Sequence, residues 1–393
     1  MYASLGNYNV LALQDNFTPE NYMEAIGVCE NAGMEVIIID SISQSWDNLL
    51  EYHANLQGNS FTNWQKVTPR INAFIQKILK SVMEPADLSC CRLIFGEADT
   101  FPGLTVDRFG DVLVPQVLSL GIERRKEQIF SALVQILRED GQTIRGIYER
   151  NDVALREKEG LQEYKGWFPL PGETPPAETV TEITENGVRY RVDFENGQKT
   201  GFFLDQKYNR RAVGRLARGK TVLDCFTHTG SFALNAALGG AAHVTAVDVS
   251  ESAVAMARQN AVLNGLTDRM DFLAADVFDL LPQLSGQPRR YAFIILDPPA
   301  FTKSRKTIHS AMKGYKEINY RAMKLLPRGG YLATCSCSHF AYDDLFRKML
   351  ADAAHDAGVQ LRQIEARQQS ADHPILWGVP ETNYLKFYLF QVV

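Results

Sequence analysis

From residue 221 onward the chain alternates short apolar runs with amphipathic stretches, a pattern that few folds accommodate. The runs cover 221–226, 243–247, 270–274, 292–296, 331–335 and 385–392. Helical periodicity fills the gaps, most clearly over 252–264 and 313–326. Strands that are apolar on both faces must be covered on both faces, so the alternation predicts an α/β fold. Its core is a mostly parallel, doubly wound, Rossmann-like sheet with helices on either side. Ligands in such sheets bind beyond the carboxyl ends of the strands, so the residues that follow each run matter most.

The first run leads into Asp224, Phe226, Thr227, Thr229 and Gly230. A glycine there permits close backbone approach to a ligand, and the helix N-terminus that follows offers free N–H groups. The loop is not G-x-G-x-x-G, which weakens a dinucleotide reading. The second run ends in Asp248-Val249-Ser250, placing a carboxylate where it can accept both ribose hydroxyls of an adenosyl group. The third is followed by Asp276-Val277, suited to the edge and face of an adenine. Any one of these acids could equally be a helix N-cap. Three at three successive strand ends point to a nucleoside-bearing cofactor.

The fourth run ends Asp297-Pro298-Pro299-Ala300-Phe301. Two prolines fix φ and remove two donors, leaving rigid carbonyls to accept bonds from a planar base, with Phe301 placed to stack on it. The fifth ends Thr334-Cys335-Ser336-Cys337-Ser338-His339. Carbon 5 of cytosine is a poor nucleophile until something adds to carbon 6, and a thiolate at a strand tip can do that. Alternation puts Cys335 and Cys337 on one face, with Cys337 nearer the ligand edge. Both are equally well read, on the residues alone, as small core side chains.

The preceding chain divides into a segment over 1–84, a central α+β domain over 85–180 that links or binds RNA, and a third domain over 181–393. Expected strands in the centre are 92–95, 104–109, 112–118 and one near 144–148, with a helix over 123–138. The Pro-rich piece 169–176 reads as a linker. The third domain is expected to open with a hairpin whose strands are 189–194 and 201–204, turning at 195–198. The net charge of −5 arises in the first segment, which holds nine acidic and four basic residues. Two basic stretches stand out, 207–220 and 303–328, each read by itself as a solvated helix face. Apolar runs are too short to span a membrane and no signal peptide is apparent, so a cytoplasmic protein is expected. Six cysteines, two of them adjacent, read as reduced thiols, and Cys335-x-Cys337 does not match a zinc site, so no metal is expected.

These motifs together resemble the bacterial 23S ribosomal RNA 5-methylcytosine methyltransferase family, the large-subunit type related to the PUA-domain methyltransferases. The likeness spans about 92–393. It rests on Phe95-Gly-Glu-Ala-Asp99, Pro102-Gly-Leu-Thr-Val-Asp107-Arg108, Tyr148-Glu-Arg-Asn-Asp152, Gly197-Gln-Lys-Thr-Gly201-Phe-Phe-Leu-Asp205-Gln206, the Asp224 loop, Asp297-Pro-Pro-Ala-Phe301, Ser336-Cys337-Ser338 and Ala371-Asp-His373-Pro374. The resemblance implies that Cys337 adds to cytosine carbon 6 and that Asp297 contacts the base near its ring nitrogen. It implies that the loop from Asp224 to Gly230, with Asp248, Val249, Ser250, Asp276, Val277 and Asp297, holds S-adenosylmethionine. Residues 201–206, ending in Gln206, would form a hairpin over the cofactor's methionine end. Pro298, Pro299 and Phe301 would line the base, and His339 and His373 would be structural or substrate-lining. Ribosomal RNA as partner, a homodimer and no membrane association are further implications.

The first 80 or so residues depart from this family, which would begin with a basic PUA domain. Stretches at 36–43, 58–64 and 67–70, with Trp46, resemble instead the Walker B region of a phage RecA-like ATPase. Residues 1–84 hold no G-x-x-x-x-G-K-[ST], so nucleotide hydrolysis and recombination are not expected of that segment. Ala292 stands where the family usually has Asp. Two rival readings remain. An RNA guanine-N2 methyltransferase would use the same Asp-Pro-Pro loop and need no cysteine. A nonenzymatic RNA-binding assembly factor would function unchanged as Cys337→Ser.

Overall fold

The structure, a computed structural model, describes residues 18–32, 88–286, 291–302 and 304–393. The ATPase-like stretches at 36–70 lie outside the described residues. Of the first segment it describes α1 (Pro19–Asn31), which buries Tyr22 and Ile26 one helical turn apart.

The central strands β1 (Cys90–Phe95), β2 (Leu104–Phe109), β3 (Val112–Val117), β4 (Gly146–Asn151) and β5 (Tyr164–Phe168) pair in that order into one sheet. Helix α2 (Lys126–Glu139) packs Ile129, Phe130, Leu133, Val134 and Leu137 against it. β4 runs three residues beyond the expected 148, because Glu149, Arg150 and Asn151 are buried in a polar network rather than turned to water. Arg150, for example, donates to the carbonyls of Phe194 and Gly197.

The hairpin is not the one expected. β6 (Val180–Glu185) pairs with β7 (Val188–Asp193) across Asn186-Gly187, whose φ values of 53° and 81° are those of a tight two-residue turn. Residues 201–204 form no strand. Asp193 ends β7 by accepting the backbone N–H groups of Glu195 and Asn196, so the chain leaves the ladder there.

The remaining elements are α3 (Lys207–Leu216), β8 (Thr221–Cys225), α4 (Ser231–Leu238), β9 (His243–Asp248), α5 (Glu251–Leu263), β10 (Met270–Ala274), α6 (Val277–Ser285), β11 (Phe293–Leu296), α7 (Ile308–Leu325), β12 (Tyr331–Ser336), α8 (Asp343–Ala357), β13 (Leu361–Arg367) and β14 (Lys386–Val392). The strands form one sheet ordered β10-β9-β8-β11-β12-β14-β13. β8 to β12 are parallel, while β14 runs antiparallel to both β12 and β13. Strand order reverses between β8 and β11, which makes that gap the switch point where a ligand crevice opens. Helices α6, α7 and α8 cover one face. On the other face α3, α4, α5 and the β6–β7 hairpin share a core with Cys90, Phe109, Val112, Val114 and Tyr148 of the central sheet. Helices α3 and α4 cross so closely that a Cβ on Gly239 would fall 2.0 Å from the carbonyl oxygen of Gly214.

The basic stretch at 207–220 is not simply a solvated face. Lys207 and Arg210 are fully buried, Lys207 donating to the Cys90 carbonyl and Arg210 paired with Glu185. In the second stretch Lys316 pairs with Asp356 and Arg321 with Glu317. Among the described residues no helix is long and apolar enough to cross a membrane.

Candidate active site

The loop after β8 has two non-glycine residues at positive φ, Phe226 at 66° and His228 at 50°, followed by Gly230 at 85°. Such conformations persist only where the surroundings impose them. Two carboxylates do so here. Asp224 Oδ2 accepts from Thr227 Oγ1 at 2.6 Å and from the Ala233 amide at 2.9 Å, tying the loop to the first turn of α4. Asp248 accepts from the His228 amide at 2.8 Å and the Ser250 amide at 3.0 Å. Phe203 covers the loop from outside, its ring 5.3 Å from that of His228.

S-adenosylmethionine fits these residues on one specific ground: two buried oxygens facing this loop, Asp224 Oδ1 and Thr229 Oγ1, have no hydrogen-bond partner. A buried acceptor without a donor is costly, and a ligand carrying an ammonium and hydroxyls would satisfy both. Asp248 and Ser250 stand at the end of β9, where Ser250 caps α5. Val249 beside them is 71% exposed, an apolar surface left open to solvent. Asp276 is exposed and caps α6 through the Phe278 amide, while Val277 is buried. Asp276 therefore acts as the N-cap that any single acid could have been. Among the described residues no cluster of His, Cys, Asp and Glu side chains could hold a metal ion.

One strand over, Asp297 closes β11. Its Oδ1 accepts from Gln206 Nε2 at 2.9 Å, and Gln206 is itself held by Asn209 at 2.6 Å. Burial pushes the Asp297 carboxyl up to about 7, with the Asp205 carboxylate adding to the effect and Arg210 opposing it. Burial likewise pushes Asp224 up to about 8. Asp205, though burial would raise it, is held below the ordinary carboxylate range by the charges of His373 and Lys199, and it accepts from the Tyr384 hydroxyl at 2.6 Å.

Cys337 lies one residue past the end of β12 and is half-buried, its Sγ donating to the Pro298 carbonyl at 3.9 Å. Burial and then the Asp297 charge push its thiol up to about 11, while Lys199 draws it down. Cys335 is fully buried and hydrogen-bonded to Gln206 and Asp297, inside β12 and two residues before Cys337. The Pro298 carbonyl is thus shared with the thiol, and Pro299 is exposed. Phe301 is not free on both faces: its ring packs 4.6 Å from Tyr315 and 5.8 Å from Phe278. His373 is buried against Phe95 and bonded to Asp372, away from the thiol's own contacts, and His339 packs on Phe340.

Sequence reasoning passed over Asp205 as a charge near the thiol, Lys199, whose ammonium sits over the Phe203 ring, and Lys386. The signal for Lys386 was present: a lone cation inside the apolar run 385–392.

Comparison with known proteins gives the family and the fold. The family described as S-adenosylmethionine-dependent methyltransferase matches residues 167–388. Ribosomal RNA large subunit methyltransferase I of Klebsiella pneumoniae (strain 342) is 44% identical over 307 residues, covering 78% of this chain and 74% of that protein. The Escherichia coli (strain K12) protein of that name is 43% identical, covering 78% and 75%. The crystal structure of SMU.776 complexed with SAH superposes with a TM-score of 0.71 at 24% identity, over 84% of this chain and 82% of that one. A tRNA methyltransferase of M. jannaschii superposes at 0.52 and 16% identity, over 82% and 78%. At such identities these two structures speak for the fold alone.

Proposed function

The chain belongs to the S-adenosylmethionine-dependent methyltransferases and groups with ribosomal RNA large subunit methyltransferase I, and from that premise we propose that it forms 5-methylcytosine in 23S ribosomal RNA through a covalent bond between Cys337 and carbon 6 of the base. Its coarser activity is methylation of large-subunit ribosomal RNA with S-adenosylmethionine as cofactor. The observation that carries the finer reading is the pairing of a half-buried thiol and a carboxyl whose pKa is pushed up to about 7, so that its protonated form is well populated near pH 7, at the tips of adjacent strands.

The target base is unstacked into the crevice, at a cost of a few kcal/mol that is smaller for a looped nucleotide. Neutral Asp297 donates a hydrogen bond to the ring nitrogen beside the amino group, drawing electrons away from carbon 6. Its neutralisation also removes the strongest negative charge acting on Cys337, so the thiolate becomes accessible. The Sγ–carbon 6 bond forms as the 5,6 double bond gives its electron pair to carbon 5. Bound S-adenosylmethionine supplies a sulfonium-activated methyl group to that carbon. Loss of the carbon 5 proton to a base then restores the double bond and expels the Cys337 thiolate. Asp224, Asp248 and the Gly230 turn orient the cofactor throughout, and Gln206 holds the Asp297 carboxyl in place.

The test is incubation with tritiated S-adenosylmethionine and undermodified 23S ribosomal RNA, comparing the unaltered protein with Cys337→Ala, followed by nucleoside analysis. Label in 5-methylcytidine that vanishes in the variant supports the reading. Label in a methylguanosine, or undiminished label in Cys337→Ala, overturns it.

A further inference from the structure

Lys386 opens β14 opposite Ser336 on β12 and is 6% exposed. A lysine ammonium has three donors. Two of them are committed, to the Ser338 carbonyl at 2.7 Å and to the Tyr384 carbonyl at 2.8 Å. Among the described residues no carboxylate lies within ion-pair distance of it, which is unusual for a charge removed from water. Ser338 is the residue after Cys337, and it is fixed from a second side, its Oγ donating to the Thr302 carbonyl at 3.0 Å. The turn that carries the thiol is therefore pinned between β14 and the segment after β11.

We propose that Lys386 is a positioning residue for Cys337: its ammonium holds the Ser338 carbonyl, and so the Cys337 turn, in place, and serves as the countercharge of the Cys337 thiolate during the reaction. The inference rests on Cys337 being the nucleophile. Two ionisable groups act on the Lys386 charge, Cys337 at the end of β12 and Asp343 at the start of α8. Asp343 is already engaged by the Tyr388 hydroxyl. The charges acting most strongly on Cys337 itself are those of Asp297 and Asp205, both unfavourable to a thiolate, and Lys199, an exposed cation. A nucleophile facing two carboxylates and one solvated lysine lacks a desolvated positive partner, and Lys386 is the buried cation next to it. Burial draws the Lys386 pKa down to about 8, and the negative charge at Cys337 opposes that loss.

The experiment follows iodoacetamide alkylation of Cys337 as a function of pH, with the modified peptide quantified by mass spectrometry. It compares the unaltered protein, Lys386→Gln, which keeps a donor without the charge, and Lys386→Arg, which keeps the charge. The expected result is about tenfold slower alkylation in Lys386→Gln at pH 7, below the Lys386 pKa of about 8, where the ammonium is charged. Lys386→Arg is expected to keep the original rate at pH 7. A folded Lys386→Gln with the unaltered rate at pH 7 overturns the proposal. If Lys386→Gln does not fold, Lys386→Arg decides: a retained rate at pH 7 supports the countercharge and a lowered one overturns it. Formation of 5-methylcytidine by Cys337→Ser would sink the nucleophile reading separately, since alkylation needs no turnover.

Discussion

Arg210 grips both carboxylate oxygens of Glu185, Nε to Oε1 at 2.7 Å and Nη2 to Oε2 at 2.8 Å, with both side chains buried. The pair joins β6 to α3, and the same Nη2 donates to the Phe203 carbonyl at 2.7 Å, which carries the link to the segment packed on the loop after β8. Removing one partner leaves a buried charge uncompensated. Glu185→Ala is expected to lower unfolding free energy by about 3–5 kcal/mol, measured by urea denaturation. A loss below about 1 kcal/mol would show that water reaches the guanidinium.

Asp224 supplies a pH signature. Burial holds its carboxyl at about 8, against an ordinary 3.8. Between those values the folded chain keeps a proton that the unfolded chain has released, so stability falls as pH rises through that window. In cofactor-free protein, the melting temperature of Asp224→Asn relative to the unaltered chain should rise from pH 5 to pH 8. A constant difference would mean the carboxyl is ionised throughout.

Gln206 steadies the ionised form of Asp297 by donating to it. In Gln206→Leu that donor is lost, and the Asp297 carboxyl should titrate above its present value of about 7. Carbon-13 NMR titration of labelled aspartate carboxyls reads this without turnover. A lowered or unchanged midpoint would assign the elevation to other neighbours.

The crossing of α3 and α4 leaves no room for a methyl group at Gly239, where the obstacle is the Gly214 backbone and not a movable side chain. Gly239→Ala should destabilise by about 1–3 kcal/mol or more through overpacking, visible as a lowered melting temperature. Gly286→Ala, whose nearest neighbour is 3.8 Å away, should be close to neutral.

The parallel sheet was legible because its central strands β8, β11 and β12 are buried on both faces, and apolar runs and strands coincide to within a residue or two there and also at β9 and the more exposed edge strand β10. The acids and the Asp-Pro-Pro loop were found where strands end. What escaped reading was decided by tertiary contacts. The chain offers Asn-Gly three times, at 186–187, 196–197 and 264–265, the last of which closes α5. Only the first is flanked by two alternating strands, and the second is captured by the Asp193 side chain. α7 begins at Ile308, earlier than its apolar periodicity suggests, because hydroxyls of Thr302, Ser304 and Thr307 bond among themselves and start the turn. β5 and β13 are half exposed and lack an apolar stripe, so pairing with β4 and β14 defines them. At the site, Lys386 could be noticed in the sequence, but its proximity to Cys337 arises only when β14 pairs with β12.

The core that the β6–β7 hairpin shares with the central sheet bears on how this molecule can be taken apart. A cut in the Pro-rich connection would not release two autonomous halves, since each would carry away one wall of a common apolar interior. Calorimetry of the intact chain should show a single cooperative transition across residues 88–393, and chimaeras with relatives should exchange the hairpin together with the strands beneath it.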